Sequence, residues 1–176
     1  MKPRLVFAEE ADTGQLRDIF TGYGMDLSGP IHHHVVVKDG TTVIGGARLV
    51  QLEPDFFFLE VIGVSRDYGR QGYGSYLLTS LTADPWQYCR QLKDYPAGDA
   101  SFTIGTLARG SARTFYQNHG FFPASWSALP EPYNRQCNSC PDRECCHPTP
   151  MLYTGARHSP TATESRDNHD QRKLLK

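Results

Sequence analysis

A glycine-dense turn, Gly69-Arg70-Gln71-Gly72-Tyr73-Gly74, follows a segment rich in Phe, Val and Ile and precedes a helical pattern. Several backbone N–H groups of such a turn can point at one anion, and the positive end of the helix dipole adds to the attraction. Gly72 and Gly74 permit a close approach because they carry no side chain. The spacing matches neither the phosphate-loop pattern nor the dinucleotide fingerprint. The turn therefore indicates an anion site outside those two nucleotide-binding classes, and a tight turn that holds no ligand is the alternative.

Glu60 lies on the strand that leads into this turn, among apolar neighbours. A carboxylate in such a strand is costly to bury unless it has a partner or a task. Strand alternation places it on the same face as Ile62 and Val64 unless a bulge intervenes. Glu60 is therefore a candidate general base, acting directly or through water, and an edge-exposed or ion-paired glutamate is the alternative.

Four cysteines and one histidine lie within eleven residues, namely Cys137, Cys140, Cys145, Cys146 and His147. A Cys-x-x-Cys pair can supply two ligands and the Cys-Cys-His run two more, which is typical of structural zinc. Adjacent cysteines rarely both bind one ion. The predicted set is therefore Cys137, Cys140, one of Cys145 and Cys146, and His147. A disulfide or redox pair, or unligated reduced thiols, are the alternatives.

The composition excludes several classes of protein. The 176 residues suffice for one domain with a substantial core and are too few for two ordinary domains. Lys+Arg total 18 and Asp+Glu total 19, so the overall basic field typical of nucleic-acid-binding proteins is lacking. Apolar stretches such as 56–59 are far shorter than the roughly 18 residues that cross a bilayer. The N-terminus becomes acidic before an apolar signal region develops, so we expect a cytoplasmic protein without membrane or nucleic-acid partners.

The elements that must position these residues alternate between strands and helices. Segments 32–37 and 41–52 form a hairpin around Asp39-Gly40, and 55–65 is the sheet segment that carries Glu60. The other expected elements are a strand at 4–8, a helix from Asp12 to about Gly22, helices at 73–81, 84–95 and 111–119, and strands at 101–107, from Phe121, and at 151–153.

Two motifs in sequence order carry a resemblance to a known family. Residues 64–78, Val-Ser-Arg-Asp-Tyr-Gly-Arg-Gln-Gly-Tyr-Gly-Ser-Tyr-Leu-Leu, resemble motif A of the GNAT superfamily of acyl-CoA N-acyltransferases, in which this turn binds the coenzyme A pyrophosphate. Residues 112–121, Ala-Arg-Thr-Phe-Tyr-Gln-Asn-His-Gly-Phe, look like motif B. The resemblance spans about Arg4 to Tyr153 and implies an α/β (α+β) fold, with a mixed central sheet of six to seven strands and helices on both faces.

The resemblance also implies a domain organisation and residue roles. The GNAT domain covers 1–154, including the Cys-rich loop at 130–150, and the polar residues 155–176 are expected to form a disordered tail. Tyr116 stands where the family often places the hydroxyl that protonates the departing thiolate, with ordinary aromatic packing as the alternative. Backbone amides near Val61 to Gly63 would polarise the thioester carbonyl. The implied coenzyme A-binding residues are Ile62, Gly63, Val64, Gly69, Arg70, Gln71, Gly72, Tyr73, Gly74 and Ser75.

The resulting functional hypothesis is an N-acyltransferase that moves an acetyl group from acetyl-CoA to an amine by direct attack in a ternary complex. The acceptor could be a small amine, an amino acid or a protein lysine, and the oligomeric state stays open. Gly69 and Arg109 replace residues that the family commonly uses around the cofactor. They keep an alternative open, a catalytically inactive GNAT-fold module that holds a protein or RNA partner with a zinc-stabilised loop.

Overall fold

The computed structural model describes residues 3–158, whose strands form one seven-stranded mixed sheet. The strands are β1 (Arg4–Phe7), β2 (His34–Asp39), β3 (Thr42–Glu53), β4 (Phe56–Val64), β5 (Ala100–Ala108), β6 (Phe122–Pro123) and β7 (Thr149–Arg157). The helices are α1 (Thr13–Thr21), α2 (Tyr73–Ala83), α3 (Arg113–Gln117) and α4 (Arg143–Cys146). The sheet order is β1-β2-β3-β4-β5-β7-β6, and the pairing of β4 with β5 is parallel whereas the other pairs are antiparallel.

The hairpin of β2 and β3 turns at Asp39-Gly40 as predicted. Gly40 has φ 59°, a left-handed conformation that glycine adopts without a Cβ clash. Along β2, the successive residues Val35, Val36 and Val37 are all buried, in different apolar clusters. Since successive side chains point to opposite faces, both faces of this strand must be covered.

Helices cover both faces of the sheet, which confirms the predicted architecture. On one face, α1 places Leu16 and Phe20 in a cluster with Val36 and Val61. On the other face, α2 places Leu78 and Leu81 in a cluster with Phe57 and Leu59. The apolar positions of both helices recur at three- and four-residue spacing, so each helix buries one stripe against the sheet.

β4 and β5 pair over only four positions, from Phe56 with Thr103 to Leu59 with Thr106. Beyond that point β4 stays paired with β3 as far as Val64, and β5 stays paired with β7 as far as Ala108. The two halves of the sheet therefore diverge from Leu59 onward and leave a gap between them.

A β-bulge lies at the point of divergence. Arg48 pairs with Val61 and the next residue of β3, Leu49, pairs with Leu59, so Glu60 has no cross-strand partner. As a result Leu59 and Ile62, three residues apart, face the same apolar cluster. The simple alternation that would put Glu60 on the face of Ile62 and Val64 is therefore wrong, and the bulge is the physical reason.

The structure departs from the predicted elements in two other places. The expected helix at 84–95 is limited to a 3-10 turn at Pro85–Tyr88, because the Gln51 side chain bonds the backbone N–H groups of Lys93 and Asp94 and the carbonyl of Asp94. The last strand is longer than 151–153. It runs to Arg157, past the predicted domain boundary at 154, and the remainder of the predicted tail, 159–176, lies outside the described residues.

Candidate active site

The gap between β4 and β5 forms a cleft of about 830 Å³. Its lining is largely apolar and comes from β4, the end of β5, α3 and the segment that links β6 to β7. Glu60, Ile62, Gly63 and Val64 line it from β4, whereas Tyr116 lines it from α3. With Gly74 of α2 also in its lining, the cleft brings together both residues predicted to be catalytic and four of those predicted to bind coenzyme A.

Glu60 has a partner on each carboxylate oxygen. Arg48 Nη1 donates to Oε2 at 2.7 Å, and the Tyr133 hydroxyl donates to Oε1 at 2.5 Å. The side chains of Arg48 and Glu60 are 14% and 18% exposed, so the ion pair is mostly withdrawn from water. The interpretation of Glu60 as an ion-paired residue therefore holds. A carboxylate offers about four acceptor positions, so Glu60 can still accept a hydrogen bond from a group in the cleft.

Tyr133 reaches Glu60 from the segment between β6 and β7. Its ring stacks on Phe58, with centroids 3.7 Å apart and an interplanar angle of 21°. Burial and the hydrogen bond to the Glu60 carboxylate raise the pKa of the Tyr133 hydroxyl far above its usual value. The hydroxyl therefore stays protonated and remains a donor at any physiological pH.

Tyr116 lies beside the last paired residues of β4 and β5. It is only 5% exposed, and its hydroxyl is hydrogen-bonded to the side chain of Thr106, which itself donates to the Leu59 carbonyl at 2.9 Å. Burial raises the pKa of Tyr116 to about 12. Its ring also packs edge-on against Phe115 and Phe121. Tyr116 is thus a core aromatic residue whose hydroxyl is a neutral donor at the cleft.

Two backbone amides of β4 face the cleft. Ser65 N–H donates to Ile44 O, so the adjacent Val64–Gly45 pair is one whose own N–H and C=O groups point away from β3. The Tyr23 hydroxyl accordingly donates to the Val64 carbonyl at 2.8 Å from the cleft side. The backbone N–H and C=O groups of successive strand residues point to alternate sides, so those of Ile62, two residues before Val64, also point away from β3. Two N–H groups, of Ile62 and Val64, are therefore presented where β5 no longer pairs.

The glycine turn lies at the N-terminus of α2. Gly72 caps the helix with φ 85°, and Arg70 also has a positive φ of 59°. The first four N–H groups of any α-helix lack intrahelical partners, so the turn presents donors together with the positive helix dipole. Of the predicted turn residues, Gly74 lines the cleft. The others, Gly69, Arg70, Gln71, Gly72, Tyr73 and Ser75, lie in the adjoining turn and first helical positions outside that lining.

Arg109 has a structural role that its place in the motif did not indicate. It follows β5 and donates to the backbone carbonyls of Tyr23 and Gly24, in the loop after α1. Arg66, which follows β4, donates to Gly22 O in the same loop at 2.9 Å. The loop after α1 is therefore hydrogen-bonded to residues that follow β4 and β5, the two strands that border the cleft.

The predicted zinc site is not formed. Within residues 3–158, no three His, Cys, Asp or Glu side chains are arranged to hold a metal ion. Cys137, Cys140 and Cys146 line the cleft, but Cys145 is exposed and outside the lining, and His147 is the left-handed C-cap of α4 with φ 47°. A helix turns by about 100° per residue, so α4 directs Cys145 and Cys146 differently. Burial and the neighbouring Cys140 and Cys146 raise the pKa of the Cys137 thiol.

Sequence reasoning missed the two partners of Glu60. Arg48 is a lone cation in an otherwise apolar strand, and pairing it with the equally isolated Glu60 was a usable signal. Tyr133 is 73 positions from Glu60 and lies in a Pro-rich polar segment. No spacing rule connects such residues, so only the three-dimensional structure shows that they meet.

Comparison with known proteins agrees with this geometry. The family model described as the acetyltransferase (GNAT) domain matches residues 30–123. The match covers more than half of the chain, from the start of the hairpin to β6, and includes the walls of the cleft formed by β4, β5 and α3. The chain belongs to the GNAT acetyltransferase family. No curated protein sequence matches it significantly.

Solved structures with the same fold are distant in sequence. N-acetylglutamate synthase from Neisseria gonorrhoeae, complexed with coenzyme A and N-acetyl-glutamate, is 16% identical with a TM-score of 0.67 and covers 88% of this chain and 35% of its own. A GNAT-family acetyltransferase from Staphylococcus aureus is 13% identical with a TM-score of 0.59, and the alignment covers 87% of this chain and 99% of that protein. The ribosomal-protein-S18-alanine N-acetyltransferase from Escherichia coli is 16% identical with a TM-score of 0.56, and the alignment covers 92% of this chain and 98% of that protein. The chain thus spans about a third of the synthase and nearly all of the other two.

None of the helices within residues 3–158 is long and apolar enough to cross a bilayer.

Proposed function

We propose that this protein transfers an acetyl group from acetyl-CoA to an amine by direct attack in a ternary complex. The observation that supports this most is the cleft at the divergence of β4 and β5, which holds Glu60, the Tyr116 hydroxyl and the outward amides of Ile62 and Val64. Family membership supports acyl transfer in general, and the acetyl donor and the amine acceptor are the further steps of the proposal.

The residues present fit acetyl-CoA. The cleft has a volume of about 830 Å³ and is largely apolar, which suits the pantetheine arm, and the unpaired edge of β4 can hydrogen-bond the amides of the arm. Gly74 adds no side chain to the wall of the cleft, where a Cβ would lie 3.6 Å from Phe115 and 3.8 Å from Val64. At its mouth, the N-terminus of α2 can hold the pyrophosphate oxygens. When bound, the cofactor supplies an activated thioester carbonyl.

Each residue of the cleft then has a chemical task. Glu60 accepts the proton that the amine must lose, directly or through water, because a protonated amine is not a nucleophile. The N–H of Ile62 stabilises negative charge that develops on the carbonyl oxygen. The Tyr116 hydroxyl, held neutral by its pKa of about 12, donates to the departing sulfur.

Direct attack is favoured over a covalent enzyme intermediate. A cysteine reacts as its thiolate, and the raised pKa of Cys137 disfavours that form at neutral pH. Within residues 3–158, the thiols of Cys140 and Cys146, which also line the cleft, form no hydrogen bond to a histidine or carboxylate side chain that could activate them. We therefore expect initial-velocity plots against both substrates to intersect, which is the pattern of a ternary complex, and not to run parallel.

The proposal is tested by two measurements on the same 176-residue protein. Calorimetry measures the binding of acetyl-CoA and of coenzyme A. Release of free thiol from acetyl-CoA is then followed with a chromogenic reagent against a panel of small amines, amino acids and peptides with lysine or a free N-terminus. We expect binding and acceptor-dependent thiol release, with Glu60→Gln greatly slower than wild type. No binding at millimolar acetyl-CoA would refute the proposal, and binding without turnover on any acceptor would favour the inactive binding module.

A further inference from the structure

We infer that Tyr133 is a positioning residue for the reaction, which holds the Glu60 carboxylate in the orientation that receives the proton of the amine. The inference rests on the proposed function, in which Glu60 is the base. It adds a residue from the segment between β6 and β7 to a site otherwise built from β4, β5 and α3.

The first reason is the geometry of the carboxylate. Glu60 lies at a bulge, where the backbone lacks the cross-strand partner that normally fixes a strand residue. Its side chain is nevertheless held at both oxygens, by Arg48 at 2.7 Å on one side and by Tyr133 at 2.5 Å on the other. Two donors on different oxygens fix the plane of a carboxylate, whereas one donor leaves it free to rotate.

The second reason is that Tyr133 is itself held rigidly. Its ring lies flat on Phe58, which is 1% exposed and belongs to β4, the strand that carries Glu60. The hydroxyl is therefore positioned by the same strand that it helps to organise. A donor whose own rotamer is fixed by packing loses little conformational entropy on bonding, so the orientation it imposes is maintained through the catalytic cycle.

The third reason is that the two partners of Glu60 differ in charge, since Arg48 is a cation and Tyr133 is neutral. Arg48 makes an ion pair and also donates to Ser28 O at 3.2 Å, so its removal would leave Glu60 buried without a counter-charge and would disturb the fold. Tyr133 is neutral and its hydroxyl contributes no charge. Its contribution to Glu60 can therefore be removed without unpairing a charge, which makes a clean test possible.

The test compares Tyr133→Phe with wild type in the thiol-release assay. The phenylalanine ring can keep the stack on Phe58, so only the hydrogen bond is lost. A positioned general base contributes about 100-fold to 10,000-fold to the rate. We therefore expect kcat to fall by about 10-fold to 100-fold, with the KM for acetyl-CoA and its calorimetric affinity unchanged. Tyr153→Phe is the matched control, because that ring packs against Phe121 and lies outside the lining of the cleft that contains Glu60.

A double variant separates positioning from a general structural effect. If Tyr133 acts through Glu60, the substitution Tyr133→Phe should cost nothing further in a Glu60→Gln background, where the base is already absent. A loss of the same factor in both backgrounds would overturn the inference, as would wild-type kcat in Tyr133→Phe. Thermal unfolding of every variant reports whether the fold is kept. If wild type itself transfers no acetyl group, the proposed function fails. If wild type is active and Tyr133→Phe is equally active, only this inference fails.

Discussion

The conformation of Gly72 gives a quantitative test of the glycine turn. Gly72 has φ 85° and ψ 0°, and a Cβ built there meets nothing within 4 Å. A Gly72→Ala variant therefore suffers backbone strain without crowding. The left-handed conformation costs an alanine about 1–2 kcal/mol, and reduced entropy of the unfolded chain offsets about 0.4–1 kcal/mol. We expect net destabilisation of about 1 kcal/mol, which lowers Tm by about 2–4 °C for a domain of this size.

Gly14 is the matched control. It is exposed in α1, a Cβ there also meets nothing within 4 Å, and its φ is not in the left-handed region. Gly14→Ala should therefore stabilise by up to about 1 kcal/mol, because alanine favours the helix and restricts the unfolded chain. The two variants make the same chemical change and should shift Tm in opposite directions.

The assay combines thermal unfolding with calorimetric titration of coenzyme A. If the turn relaxes to relieve the strain in Gly72→Ala, its amides no longer converge and the affinity for coenzyme A should fall as well. Gly14 lies in α1, away from the turn, so its variant should bind normally. The reasoning is refuted if Gly72→Ala raises Tm as much as Gly14→Ala does and binds coenzyme A with unchanged affinity.

Three further predictions concern the pKa of Tyr116, a buried ion pair and metal. The folded pKa of Tyr116 is about 12, above its unfolded value of 10, so the folded state retains a proton that the unfolded state loses. Stability should thus fall between pH 10 and pH 12, by about 1 kcal/mol per pH unit, and urea unfolding of Tyr116→Phe at several pH values should show a weaker dependence on pH over this range. Asp12 is 2% exposed and pairs with Lys38 at 2.6 Å, so Asp12→Ala should cost about 3–5 kcal/mol in urea unfolding. Arg135→Ala, which breaks the exposed pair with Glu131, should cost less than about 0.5 kcal/mol, and equal losses would contradict the burial argument. Dialysis against a chelator should leave Tm unchanged, and a clear drop would show that the cysteines do hold a metal ion.

The fold was predictable because its signals are local. Asp39-Gly40 marks the hairpin, the apolar run 56–59 marks a buried strand, and the glycine turn marks the start of α2. The helix expected at 84–95 failed for a non-local reason. Its backbone groups at Lys93 and Asp94 are satisfied by the Gln51 side chain of β3, which no local pattern reveals.

The candidate site was predictable only in part. Glu60 was a candidate because it is a carboxylate in an apolar strand, Tyr116 because it stands in motif B, and the structure places both at one cleft. The orientation of the Glu60 side chain could not be predicted, since it depends on a β-bulge whose register is set by pairing with β3. Tyr133 was missed because its contact with Glu60 joins residues 73 positions apart, which no local pattern indicates. The cysteine spacing suggested zinc, but spacing fixes neither the left-handed turn at His147 nor the direction of Cys145, and these decide whether ligands converge.

The place of β7 in the sheet has a consequence for folding during synthesis. β7 lies between β5 and β6, pairing with β5 over nine positions, although it is the last of these strands to be made. Until Arg157 has left the ribosome, the edge of β5 is unpaired, and an open strand edge invites association with other chains. The wall of the cleft formed by β5 also lacks its neighbour until then. We therefore expect a nascent chain stalled within β7 to be aggregation-prone and unable to bind coenzyme A, because closure of the sheet depends on the strand that emerges last.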